Sequence, residues 1–170
     1  MSCVVSELTQ ILSKLNLTIS SAESCTGGYI AHMLTERSGS SAYYKGSVVS
    51  YCNEIKIRVL GVKKASIDAD TEVSESVATE MATGVMRLMK TDVSVSTTGI
   101  AGPTGALPGK PVGTVYISAC TKYGRMTRRY VFGGDRESVI EQASETALSM
   151  ALDLLRQGCA PVQLNKHDLT

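Results

Sequence analysis

Residues 17–36 read Leu-Thr-Ile-Ser-Ser-Ala-Glu-Ser-Cys-Thr-Gly-Gly-Tyr-Ile-Ala-His-Met-Leu-Thr-Glu. Leu17 to Ser21 has the character of a short strand, Glu23-Ser24-Cys25-Thr26-Gly27-Gly28 that of a polar turn, and Tyr29 to Glu36 that of a helix. A strand entering a helix through a glycine-bearing turn is the repeating step of an α/β sheet. Upstream, Val4, Val5, Leu8, Ile11, Leu12 and Leu15 recur at three- and four-residue intervals and predict an amphipathic helix. Downstream, Tyr43 to Tyr51 is rich in β-branched and aromatic residues and predicts a second strand. Asn53 is placed to cap a short helix that stops before Gly61. Ser74, followed by Glu75, opens a helix to about Lys90 with Val77, Met81, Val85 and Leu88 on its buried face. Val93 to Thr97 alternates as a strand. Thr114 to Thr121 and Met126 to Phe132 pair as a hairpin around Lys122-Tyr123-Gly124. A last helix starts after Gly134, capped by Asp135, and Gly158 is placed to end it. This order predicts a three-layer α/β/α sandwich with a mixed sheet, one domain over 1–158 and a loose tail over 159–170.

A chain of 170 residues buries about 70% of its unfolded surface, enough for a core without disulfides. Its 17 basic and 16 acidic residues leave a net charge of +1, which argues against a duplex-binding face and points to a small-molecule partner. Arg125, Arg128 and Arg129 do not alter this, because neighbours on a strand face opposite sides. The five cysteines form no C-x-x-C pair, so a reduced, cytoplasmic setting is expected. The first residues lack a basic stretch and carry Glu7 among the apolar ones, unlike a signal peptide. No run reaches the roughly 18 apolar residues of a membrane span. His32 and His167 stand far apart and no His, Cys and carboxylate cluster has ligand spacing, so neither metal nor cofactor is expected.

Two stretches invite chemistry. The first is the turn itself. Ser24 sits between a strand and a helix that starts near two glycines, where backbone amides at the helix N-terminus could hold an oxyanion or a phosphate. Ser24 or Thr26 could equally serve as a helix cap, and Cys25 is a rival nucleophile. His32 is too far along the chain to serve Cys25: seven helical residues rise about 10 Å. With 36 Ser and Thr against two His, a serine here would need another base. Lys56 is a candidate if burial keeps it neutral, with Tyr51 five residues before it to orient a proton. A lysine on a short helix is otherwise a solvated charge. The second stretch, Gly99 to Gly113, holds five of the chain's 15 glycines and three of its four prolines. It fits neither the dinucleotide fingerprint nor a phosphate loop, since Thr104 stands where that loop needs glycine and Pro111 follows Lys110. Its small residues suit close backbone approach to a ligand.

SAESCTGG (21–28), GSVVSYCNEIK (46–56), TGIAGPTG (98–105), KPVGTVYI (110–117) and FGGDRESV (132–139) together resemble the CinA C-terminal domain family, in order and over nearly the whole chain. The resemblance implies an α/β/α fold, a metal-free amidohydrolase site and a homodimer. It further implies hydrolysis of the carboxamide of nicotinamide mononucleotide to nicotinic acid mononucleotide and ammonia, in pyridine nucleotide recycling. Carried over motif by motif, Ser24 is the nucleophile and Lys56 with Tyr51 the base. Thr26, Gly27 and Gly28 suit the oxyanion; Thr98, Gly99, Ala101 and Gly102 line the nucleotide pocket; Arg136 binds phosphate. Many members carry an arginine one turn after that one, where this chain has Ile140. That departure supports the alternative of a non-catalytic nucleotide-binding or sensing member. Some members are fused to an N-terminal pyrophosphatase-like domain, and the length of 170 residues leads us to expect the stand-alone form.

Overall fold

A five-stranded mixed sheet with strand order β2-β1-β3-β4-β5 forms the centre of the molecule. The computed structural model describes residues 3–159. The elements in chain order are α1 (Cys3–Lys14), β1 (Ile19–Glu23), α2 (Tyr29–Thr35), β2 (Tyr44–Val49), α3 (Asn53–Leu60), α4 (Lys64–Asp70), α5 (Glu75–Met89), β3 (Val93–Gly99), β4 (Thr114–Thr121), β5 (Gly124–Val131) and α6 (Arg136–Cys159). β2, β1 and β3 run parallel, while β4 and β5 are antiparallel additions at one side. One face is covered by α1, α2 and α6, which bury Leu8, Leu12, Ile30, Leu34, Leu148 and Leu155 against Ile19, Val95 and Ile117. The other face carries α3 and α5, with Leu60, Val77, Met81 and Val85 packed on Ala22. The expected three-layer α/β/α sandwich with a mixed sheet is what forms.

Several boundaries differ from the reading of the sequence. β1 runs two residues later than Leu17–Ser21, because its Ser20, Ser21 and Glu23 side chains are fully buried and find polar partners. Asn53 is the first residue of α3, and Cys52 occupies the cap position without a side-chain bond. α4 was not anticipated. It has no buried residue, so no apolar stripe announces it. Leu88 is 51% exposed at the last turn of α5, past the end of the buried stripe. Gly158 does not end α6 but lies inside it, where an added Cβ would stand 2.2 Å from the Tyr123 ring; close packing, not termination, requires glycine there. Cys159, expected as the start of the tail, is helical, and 160–170 lie outside the described residues. Ser74 and Asp135 do cap their helices, accepting from the amides of Val77 and Ser138.

Gly84 fixes the spacing of α3 against α5. A Cβ at this position would lie 2.0 Å from the Leu60 carbonyl oxygen. Glycine inside a helix otherwise costs up to about 1 kcal/mol relative to alanine. Overpacking against a backbone costs about 1–3 kcal/mol and should prevail. Gly84→Ala is therefore expected to destabilise the fold in a denaturant titration; a net stabilisation would show that the contact is not tight.

Candidate active site

The crevice at the carboxyl ends of β1 and β3 is where an open parallel sheet binds ligands. The chain leaves β1 towards one face through α2 and leaves β2 towards the other through α3, so the two crossovers diverge. A cleft of about 480 Å³ opens there, within the range of small-molecule sites.

Ser24 follows the last residue of β1. Its amide donates to the Thr97 carbonyl at 3.0 Å, and the Ser50 amide donates to the Glu23 carbonyl at 2.8 Å, so the ends of the three parallel strands are stitched together. Lys56 comes up from the first turn of α3 and is 1% exposed. Its Nζ lies 3.0 Å from Ser24 Oγ and 2.8 Å from the Ser50 carbonyl oxygen. Burial pushes the Lys56 pKa below its ordinary value, opposed by the charge of Glu72 and the thiols of Cys52 and Cys25. The Ser50 carbonyl orients the amine, so that in its neutral form the lone pair is free for the Ser24 hydroxyl proton. Cys25 is buried, and desolvation pushes its thiol up to about 12. It stays protonated at neutral pH and is a poor nucleophile.

Tyr51 lies on the rim, 61% exposed. Its phenol oxygen accepts from Arg136 at 2.7 Å, while the same guanidinium donates to the Gly102 carbonyl at 2.8 Å. Tyr51 thus lines the cleft with Lys56 but is held by Arg136, and no hydrogen bond joins Tyr51 to Lys56. Thr98, Gly99, Ala101 and Gly102 also line the cleft. Packing explains their glycines: a Cβ on Gly99 would stand 2.5 Å from the Thr114 carbonyl, and one on Gly102 2.5 Å from Val112. Ile140 packs on the hydrophobic core and is not part of the cleft wall.

Thr26, Gly27 and Gly28 are not brought to the cleft. The fully buried Glu23 carboxylate turns back on the start of α2 and takes these donors. Oε2 accepts from Thr26 Oγ1 at 2.7 Å and from the amides of Gly28 and Ile30 at 3.0 and 3.1 Å. Oε1 accepts from the Ala31 amide at 2.9 Å, with the hydroxyls of Ser21 and Ser47 at 3.1 and 3.3 Å. The Gly27 amide is closed onto the Ser24 carbonyl. The α2 N-terminus is therefore already occupied by the protein's own anion. Two further wall residues escaped the sequence reading. Asn53 enters from the uncapped start of α3, and Glu72 from the segment between α4 and α5. Glu72 was illegible because α4 itself carries no pattern. Among the described residues no three His, Cys, Asp or Glu side chains converge as a metal site, and no helix is long and apolar enough to cross a membrane.

A family model of the CinA C-terminal domain matches residues 2–155. The chain belongs to the CinA C-terminal domain family. Among its relatives, the Escherichia coli K12 nicotinamide-nucleotide amidohydrolase PncC is 42% identical over 143 residues, which are 84% of this chain and 87% of that one. A CinA-like protein of Salinibacter ruber is 51% identical over 144 residues, 85% of this chain but 35% of the relative. The chain thus spans about a third of the length of the CinA-like relatives it matches. The crystal structure of a CinA superfamily protein from Escherichia coli superposes with a TM-score of 0.85 at 36% identity, covering 89% of this chain and 88% of that one. A competence/damage-inducible protein from Agrobacterium tumefaciens gives 0.85 at 34%, covering 91% and 99%.

The Glu23 contacts make a direct prediction. Glu23→Gln places an amide NH₂ against donors that need an acceptor, and a buried unsatisfied group costs about 1–3 kcal/mol. Denaturant unfolding should show a loss of that size, whereas an unchanged midpoint would mean that the carboxylate is not what caps α2.

Proposed function

We propose that the chain is a nicotinamide mononucleotide amidohydrolase, releasing ammonia and nicotinic acid mononucleotide. The observation that carries this reading is the buried contact of Lys56 Nζ with Ser24 Oγ at 3.0 Å, in a family whose Escherichia coli relative bears the name of that activity. Neutral Lys56 takes the Ser24 proton as Oγ attacks the carboxamide carbon, forming a tetrahedral intermediate. The proton passes to the amide nitrogen, the C–N bond breaks, and ammonia leaves an ester on Ser24. Water, deprotonated by Lys56, then cleaves the ester and restores the serine. With the amides of Gly28, Ile30 and Ala31 committed to Glu23, the oxyanion falls to cleft-wall amides that no described residue accepts from, those of Cys25, Ala101 and Gly102. Arg136 turns its guanidinium to the phosphate, releasing the Tyr51 phenol to steer the proton on the rim.

Ammonia release from nicotinamide mononucleotide, in the presence of a chelator, tests the reading. Ser24→Ala should abolish it. Lys56→Arg keeps the charge but cannot give up its proton, and should lower kcat by at least about 10². Because the reaction needs the neutral amine, the wild-type rate should rise with pH through a midpoint below the ordinary lysine value of 10.5. Full activity in Lys56→Arg, or a rate that falls over this range, rejects lysine as the base. A non-catalytic sensing protein would be stabilised by the nucleotide and form no ammonia.

A further inference from the structure

Two carboxylates stand near the reacting centre, and the protein treats them in opposite ways. Glu23 is saturated with donors. Glu72 lines the same cleft as Ser24, Lys56 and Arg136, and among the described residues nothing donates a hydrogen bond to its side chain.

The backbone around Glu72 is nevertheless fixed on both sides. Thr71 has φ 64 and ψ 173, a conformation that is costly for any residue but glycine and persists only when its surroundings hold it. Lys110, 8% exposed, reaches across from the glycine-rich loop and supplies the hold. Its Nζ donates to the Asp70 carbonyl at 2.7 Å, the Asp70 carboxylate at 2.6 Å and Thr71 Oγ1 at 3.2 Å. Thr98 Oγ1 donates to the Glu72 carbonyl at 2.6 Å, and Ser74 caps α5 two residues on. A strained, pinned backbone presents a half-buried carboxylate to which no described residue donates.

The position of the cations decides which part of a ligand meets it. Thr98, whose hydroxyl holds the Glu72 carbonyl, follows Thr97, whose own carbonyl accepts from the Ser24 amide at 3.0 Å. Glu72 therefore belongs to the end of the cleft where the acyl group reacts, and its charge opposes the lowering of the Lys56 pKa by burial. An anionic phosphate is repelled from this end and drawn to Arg136. A carboxamide brings two N–H donors to the acyl end; the acid formed from it brings none, and carries a negative charge instead. A site built around an acceptor discriminates strongly against a ligand that has lost the matching donor.

Resting on the amidohydrolase reading above, we propose that Glu72 is the specificity-determining residue of the cleft, accepting a hydrogen bond from the carboxamide nitrogen of the substrate and repelling the carboxylate of the product. It favours entry of the amide and departure of the acid.

Calorimetric binding of nicotinamide mononucleotide and of nicotinic acid mononucleotide to the Ser24→Ala protein, which cannot turn them over, tests this at neutral pH. The amide should bind more tightly than the acid. Adding Glu72→Gln should cut that preference about tenfold, mainly by tightening the acid, as expected for one like-charge contact at a partly exposed site. Glu72→Asp, which keeps the charge, should retain the preference. A purely structural role for Glu72 would weaken both ligands alike; an unchanged ratio in Glu72→Gln overturns the inference while leaving the amidohydrolase reading intact. Binding of neither ligand by Ser24→Ala overturns both.

Discussion

The buried amine of Lys56 is the constraint around which the rest of the molecule is arranged. It is almost wholly out of water, its neutral acceptors are the Ser50 carbonyl and the Ser24 hydroxyl, and no described carboxylate forms an ion pair with it. An ammonium in that setting is costly, and the amine responds by giving up its proton more readily. Both acceptors are where they are because of strand register. Glu23 pairs with Val49 across parallel β1 and β2, so the residues that follow, Ser24 and Ser50, leave the sheet side by side. α3 must then lie close enough for a lysine stem to cover both, and Gly84 in α5 allows that approach through its contact with the Leu60 carbonyl.

Glu23 performs the complementary task from the other side of the turn. By capping α2 with its own carboxylate it fixes the chain on either side of Ser24 and removes the α2 N-terminus from use as an anion site. Standing positive charge in the cleft is left to Arg136, and Lys56 adds to it only when protonated. The hydroxyl-rich composition has the same structural logic. On the face towards α5, Ser94 and Ser96 donate to the carbonyls of Ala82 and Ala78, Thr98 donates to that of Glu72, and Ser20 pairs with Thr91. Ser94, Ser96 and Thr98 thus engage carbonyl groups of α5 and the segment before it, and Ser20 a hydroxyl just past the helix, while occupying little volume, so the helix lies close on the sheet. Among the described Ser and Thr residues, Ser24, Thr98 and Thr104 line the cleft.

How much of this could be read in advance follows from what each feature depends on. The layers, the mixed sheet, the Ser74 and Asp135 caps and the Gly61 stop rest on local periodicity and end residues, and these were legible. So was the meeting of Ser24 with Lys56, through motif resemblance together with the scarcity of histidine. The role of Glu23 was not, because a polar residue at the end of Ile-Ser-Ser-Ala-Glu looks like the start of a turn, and only the closed sheet shows that it is buried. The capture of Tyr51 by Arg136, 85 residues away, is purely tertiary. Glu72 depends on a helix without an apolar stripe and on a lysine 38 residues downstream.

On the proposed mechanism Ser24 becomes acylated in each turnover. Rapid acid quenching during turnover of nicotinamide mononucleotide, followed by proteolysis and fragment mass spectrometry, would look for the acyl group directly. An acyl ester on the hydroxyl of Ser24, with the adjacent Cys25 unmodified, is the expected result. An adduct carried by Cys25, or ammonia released in the first turnover with no covalent species on the protein, would contradict it.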